Sequence, residues 1–250
     1  MELLRERWDR QAYQDFLAYL NNLAEEDYRK FRVRIVKADL PILGVRQPLM
    51  RRLAGRILKG NAHSFLEIPK GPAFEEQMMH GYVLARIALP YEQKLPLILD
   101  FTGKMDNWSV CDDFVTALKP FIREYREPFL QDIRHFAFDE NPWKVRFVLV
   151  VLLECYLEED KLEEALSLCC RVDREEYYVK MAQAWLLSMA YVKNPERTLK
   201  AIRYFEKDRF VFLKSISKIM DSYQVSKEHK TALREMREEY KRQYGKSEYI

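Results

Sequence analysis

Residues 142–157 read PWKVRFVLVVLLECYL. Pro142 suits the first turn of a helix, where its missing N–H is no loss. The residues behind it are apolar almost all round, so the helix they form belongs in the interior with little exposed side. The longest apolar run, Phe147–Leu153, is far too short to cross a bilayer. Downstream, KLEEALSLCC (161–170) follows Asp160 as a candidate cap. A long helix is expected over 175–193, stopping near Asn194-Pro195. Links this short make consecutive helices antiparallel neighbours.

The same reading extends in both directions. Residues 8–24 (WDRQAYQDFLAYLNNLA) space their apolar side chains at three and four, one helix face. Pro48 opens LMRRLAGRIL, Pro72 opens a helix to about Ile87, and Pro90 opens one to about Phe101. Asp106 is expected to cap NWSVCDDFVTAL, and Pro120 to start a further pair of turns. Three more helices fall near 196–206, 209–221 and 226–242, the last capped at Ser226. No run alternates with period two, and seven glycines and ten prolines are few for the turns of a sheet protein. Trp108, Trp143 and Trp185 stand 35 and 42 residues apart, close to the period of about 40–47 of HEAT-like helix pairs. The expectation is an all-α, curved solenoid of HEAT-like antiparallel helix pairs, an ARM/HEAT-type superhelix, forming a single domain over 1–250. On this reading the three tryptophans line its concave face. The plainer alternative is three unrelated core aromatics.

With 48% apolar and 32% charged residues the chain can fold around an ordinary core. No N-terminal segment has the pattern of a signal peptide. Cys111, Cys155, Cys169 and Cys170 form no CxxC pair and have no histidine at zinc spacing, so reduced thiols, a cytoplasmic setting and no metal are expected. The net charge is only +3, but it is unevenly spread. Arg29–Gly60 holds ten Lys/Arg and one acid, Asp39, whereas Glu154–Glu176 holds nine acids and three bases. A basic stretch that also carries apolar residues is a folded face. It points to a polyanionic partner or, equally, to a solvated surface.

Trp108 and Asp112 are four apart, which puts both on one helix face. Trp143 and Arg146 are three apart, and Arg146 leads straight into the apolar run. A guanidinium there needs a groove, a carboxylate or a phosphate, because an unpaired buried charge is very costly. Trp185 shares its face with Met181 and Met189. Taken singly, Asp112 reads as a solvated helix acid, Arg146 as a partner for a neighbouring acid, and Trp185 as core.

Four stretches in order change that balance: LPILGVRQPLMRRLAGRI (40–57), FEEQMMHGYVLARI (74–87), DNWSVCDDF (106–114), and PWKVRFVLVVLL (142–153) followed by YYVKMAQAWLLSMAYVKNPE (177–196). Over roughly residues 30–230 the chain resembles the DNA alkylation repair protein family, the HEAT-like-repeat glycosylases of the alkylpurine glycosylase D type. That resemblance implies a cleft of an aspartate, an arginine and two tryptophans, which fall on Asp112, Arg146, Trp108 and Trp185. It implies a partner, duplex DNA carrying alkylated bases, and a substrate, a purine alkylated at N3 or N7. Such a base is cationic and leaves as a neutral molecule. Asp112 would then stabilise the oxocarbenium-like sugar and hold the attacking water. The indoles would pack on the sugar-phosphate backbone, and Arg146 would hold a phosphate or the carboxylate. The lesion would stay in or near the stack, unlike that of base-flipping glycosylases. Arg46, Arg51, Arg52, Lys180, Lys214 and Lys218 are candidate phosphate contacts. No cofactor, metal or membrane is called for, and a monomer is expected.

Two positions depart from the glycosylase pattern. Ser109 follows Trp108 where an acid is usual, and Leu187-Ser188-Met189 stands where Leu-Arg-Glu is usual. A non-catalytic HEAT-like protein that binds damaged or branched DNA therefore stays open as a second reading. A protein-protein scaffold, a common use of helical solenoids, is a third.

Overall fold

The computed structural model describes residues 1–37 and 39–245. Fourteen α-helices and two short 3₁₀ segments account for its regular structure, and no strand forms among the described residues. The chain divides into two compact units, Met1–Gln131 and Asp132–Ile250.

The first unit contains α1 (Arg10–Asn22), α2 (Glu26–Val36), α3 (Gln47–Ile57), α4 (Ala62–Glu67), α5 (Phe74–Arg86), α6 (Tyr91–Gly103), α7 (Trp108–Glu124) and most of α8 (Arg126–Ile133). α3, α5 and α7 pack side by side as one layer, and α4 and α6 pack against α5 from the other. Trp8 belongs to the core here. It meets Phe65 and Phe16 edge to face at 5.1 and 5.7 Å, and its backbone N–H donates to Ser64 Oγ.

The second unit holds α9 (Pro142–Cys155), α10 (Leu162–Arg171), α11 (Tyr177–Lys193), α12 (Pro195–Tyr204), α13 (Arg209–Asp221) and α14 (Lys227–Tyr244). α9, α11 and α13 form one layer and α10 and α12 the other, with α14 closing against α13. Each unit is thus a stack of sequence-adjacent helix pairs, the packing of a helical solenoid. Every residue from Val145 to Leu153 is buried, as the all-round apolar pattern of α9 requires. Each Val, Leu or Phe fully buried there contributes about 1.5–3 kcal/mol.

Several local expectations are corrected. The cap of α7 is Asn107, not Asp106: its side chain accepts from Val110 N–H at 3.0 Å, and its Nδ2 donates to Asp106 at 2.8 Å. Asp160 does not cap α10. The Glu158 carbonyl accepts from the N–H groups of Lys161 and Leu162, so the backbone closes that turn itself. Pro120 does not begin a new element but lies within α7. It removes one ladder bond, to the Thr116 carbonyl, and both residues are exposed, so water can serve that carbonyl. Among the described residues no helix is long and apolar enough to cross a membrane. Cys111, Cys155 and Cys169 are buried and Cys170 is partly so.

Candidate DNA-contacting surfaces

The start of α7 sets the first group. Asn107, in extended conformation, turns the chain so that Trp108 is the first helical residue. Val110, Cys111, Phe114 and Val115 fill the core, which leaves Trp108 and Asp112, one turn apart, half-buried on the same face. The adjacent acid has a different duty. Asp113 accepts from Gln47 Nε2 at 2.6 Å, from Arg51 Nη2 at 2.5 Å and from the Tyr82 hydroxyl at 3.2 Å. It ties α3, α5 and α7 together. Burial, and then the Asp113 charge, push the Tyr82 phenol well above its ordinary range, so Tyr82 stays a donor.

The residues beside this group explain one departure in the sequence. Ser109 is buried, and its hydroxyl accepts from Arg32 Nη2 of α2 at 2.6 Å. The Arg32 guanidinium is itself buried and lies over the Phe74 ring at 4.8 Å. The residue after Trp108 therefore faces inward, where it receives a buried cation.

The segment Leu43-Gly44-Val45 owes its shape to Glu75, which the sequence reading did not single out. The fully buried Glu75 carboxylate accepts from all three backbone N–H groups, at 2.9, 2.8 and 3.2 Å. Gly44 has φ +103°, and a Cβ there would stand 2.7 Å from Arg29 Cβ and from the Glu25 carbonyl oxygen. The available signal was a pair of acids, Glu75 and Glu76, opening an otherwise buried helix.

The second group lies in the other unit, on the α9–α11–α13 layer. Arg146 is buried and donates to the Tyr178 carbonyl at 2.6 Å. Lys214 and Lys218 come from α13. Burial first, and then the positive charges of Lys214 and Arg146, lower the Lys218 pKa below the ordinary lysine value. The Asp221 carboxylate opposes them in part. Trp185 sits half-buried in the middle of α11, between a half-buried Met181 and an exposed Met189.

The remaining expected phosphate contacts differ in how committed they already are. Arg46 forms a two-pronged pair with Glu25 at 2.8 and 2.7 Å, Arg51 pairs with Asp113, and Lys180 pairs with Glu175 at 2.7 Å and Asp208 at 3.0 Å. Arg52 is exposed and makes no ion pair among the described residues. A cavity of about 760 Å³ between α4 and α6, bordered by His80 and Phe101, is lined by none of the predicted site residues. Among the described residues no three His, Cys, Asp or Glu side chains gather to hold a metal ion.

Trp108 and Asp112 thus share one face in the first unit, while in the second the charges of Arg146 and Lys214 both act on Lys218. No curated protein matches the chain. A family model described as DNA alkylation repair enzyme does match, over residues 16–238, and it takes in α7 and the α9–α11–α13 layer in full. With nearly the whole chain covered, this protein belongs to the DNA alkylation repair enzyme family.

Proposed function

We propose that the chain is a DNA glycosylase that hydrolyses the N-glycosidic bond of cationic N3- or N7-alkylated purines in duplex DNA. The observation that carries this reading is the half-buried Trp108–Asp112 pair at the start of α7, in a chain whose family repairs alkylated DNA. An alkylated purine already bears positive charge, so its departure needs no strong general acid. The barrier lies in the cationic sugar. A carboxylate beside it stabilises that charge and orients water for attack. Asp112 takes this part, because its spacing of four from Trp108 puts it on the indole's face, whereas Asp113 turns toward Arg51, Gln47 and Tyr82. Trp108 and Trp185 offer indole faces to the sugar-phosphate backbone. Arg146, with Lys214 and Lys218, supplies positive charge for phosphates. Gripping the backbone in this way leaves the lesion in or near the stack.

The test is release of 3-methyladenine or 7-methylguanine from methylated duplex DNA. Wild type is expected to release base, and Asp112→Asn to lose nearly all of that activity while folding normally. Equal release by both proteins would remove Asp112 from the reaction. A second reading, DNA binding without catalysis, draws on the contact between Ser109 and Arg32: the residue after Trp108 is a buried hydroxyl and not an acid. Absence of release by wild type, with duplex binding intact, would select it.

A further inference from the structure

A row of aromatic rings crosses the N-terminal ends of three helices in the second unit. Trp143 of α9 lies 5.4 Å from Tyr178 of α11, with ring planes 33° apart. Tyr178 meets its neighbour Tyr177 at 5.2 Å, and Tyr177 meets Phe210 of α13 at 5.6 Å. Rings with this much apolar area are normally covered, yet Tyr177 is 55% exposed. Tyr177 and Phe210 wall a cavity of about 570 Å³, a size usual for small-ligand sites (about 300–1,000 Å³).

Cations outnumber acids in the lining of that cavity. Lys180, Arg209 and Lys214 line it against one carboxylate, Glu175. Lys180 is already held by Glu175 and by Asp208. Lys214 is not so held: it makes no ion pair among the described residues, and its ammonium lies 6.0 Å from the Phe210 ring. The Lys214 charge also acts on Lys218. The hollow therefore joins an exposed ring, Tyr177, and a half-buried one, Phe210, to a lysine that makes no ion pair among the described residues. That is the chemistry of a nucleotide subsite: a flat base stacks on the Tyr177 ring, Phe210 walls its edge, and its phosphate rests on the lysine.

We propose that this cavity takes an undamaged nucleobase displaced from its pair, stacked on Tyr177 and walled at its edge by Phe210, with its phosphate on Lys214. The inference rests on the reading that the ligand is DNA. It deepens that reading by adding a stacking subsite apart from Trp108 and Asp112. The proposed excision needs no pocket for the lesion itself, so the occupant is the opposite or a neighbouring base.

The experiment compares two undamaged duplexes of equal length, one fully paired and one carrying a single unpaired nucleotide. Affinities of the full chain are read by fluorescence anisotropy at one salt concentration. Wild type is expected to bind the bulged duplex more tightly. Tyr177→Ala and Phe210→Ala are expected to weaken that binding about tenfold or more while leaving the paired duplex unchanged. Tyr177→Phe, which keeps the ring, is expected to retain the preference. Because Tyr177 is largely exposed, its replacement spares the core, and unchanged thermal unfolding checks this. The proposal is overturned if wild type shows no preference, or if Tyr177→Ala weakens both duplexes alike. Since the DNA is undamaged, either result stands whether or not the chain releases an alkylpurine.

Discussion

Single residues carry loads in this chain that their types do not advertise. Glu75 is the clearest case. Its carboxylate replaces water for three N–H groups of a turn that has no ladder of its own. Glu75→Ala would leave those donors buried without an acceptor, at about 1–3 kcal/mol for each that water fails to reach. The expected outcome is a fall in urea midpoint equivalent to at least about 3 kcal/mol, with an unchanged denaturant slope. A change below about 1 kcal/mol would mean that water enters the turn and that Glu75 is not its organiser. The same contrast runs through the adjacent acids of α7. Asp112 and Asp113 are the same residue type at neighbouring positions. Only the 100° step of the helix sends Asp113 toward α3 and α5, where Arg51, Gln47 and Tyr82 wait. The spacing from Trp108 selects Asp112 for its face. No spacing rule could announce the three partners of Asp113, because they come from residues 31 to 66 positions away.

At the scale of elements, helices with a sustained apolar pattern were legible, and a proline marks the head of both α3 and α9. α3, α9 and α13 fall where the pattern puts them, and α9 is buried all along its apolar run. α2 escaped notice for a physical reason. Its sequence EDYRKFRVRIV buries only Arg32 and Val36, while Phe31 and Val33 are exposed, so it shows no apolar stripe. α4 has six residues, fewer than two turns, and offers too short a window for any period. Caps were misread by one residue at α7, because Asp106 and Asn107 are equally good capping types and only backbone geometry separates them. That difference is measurable. Asn107→Ala is expected to destabilise the protein by about 0.5–2 kcal/mol, since Val110 loses its acceptor, and Asp106→Ala by no more than a few tenths. Thermal or urea unfolding of the two variants would reveal the order, and a larger effect for Asp106→Ala would return the cap to that residue. Because Trp108 is the first residue of this helix, loosening the cap should also lower excision more than it lowers DNA binding.

For the whole molecule the decisive quantity is which positive charges remain uncommitted. The density of Lys and Arg over residues 29–60 suggests a strongly basic face, but acids from outside that stretch reach it. Glu25 and Glu26 take Arg46 and Arg29, and Asp113 takes Arg51. Sequence counting cannot see these pairings, because the acids of Arg46 and Arg51 come from other helices or their flanks. Among the six cations assigned to phosphates, Arg52, Lys214 and Lys218 make no ion pair among the described residues, whereas Arg46, Arg51 and Lys180 do. A cation without a carboxylate partner can neutralise a phosphate and release counterions condensed on the DNA, so it contributes most to the salt dependence of binding. One already neutralised by a carboxylate must first break that pair, and it contributes less. Log affinity plotted against log salt should therefore lose about one unit of slope in Lys214→Ala. Arg46→Ala should change the slope by well under half of that. Titrations of a plain duplex at three or more salt concentrations give both slopes directly. The reverse order would shift the phosphate contact from the α13 lysines to the Arg46 side of the chain. It would also mean that the Glu25–Arg46 pair opens when DNA binds.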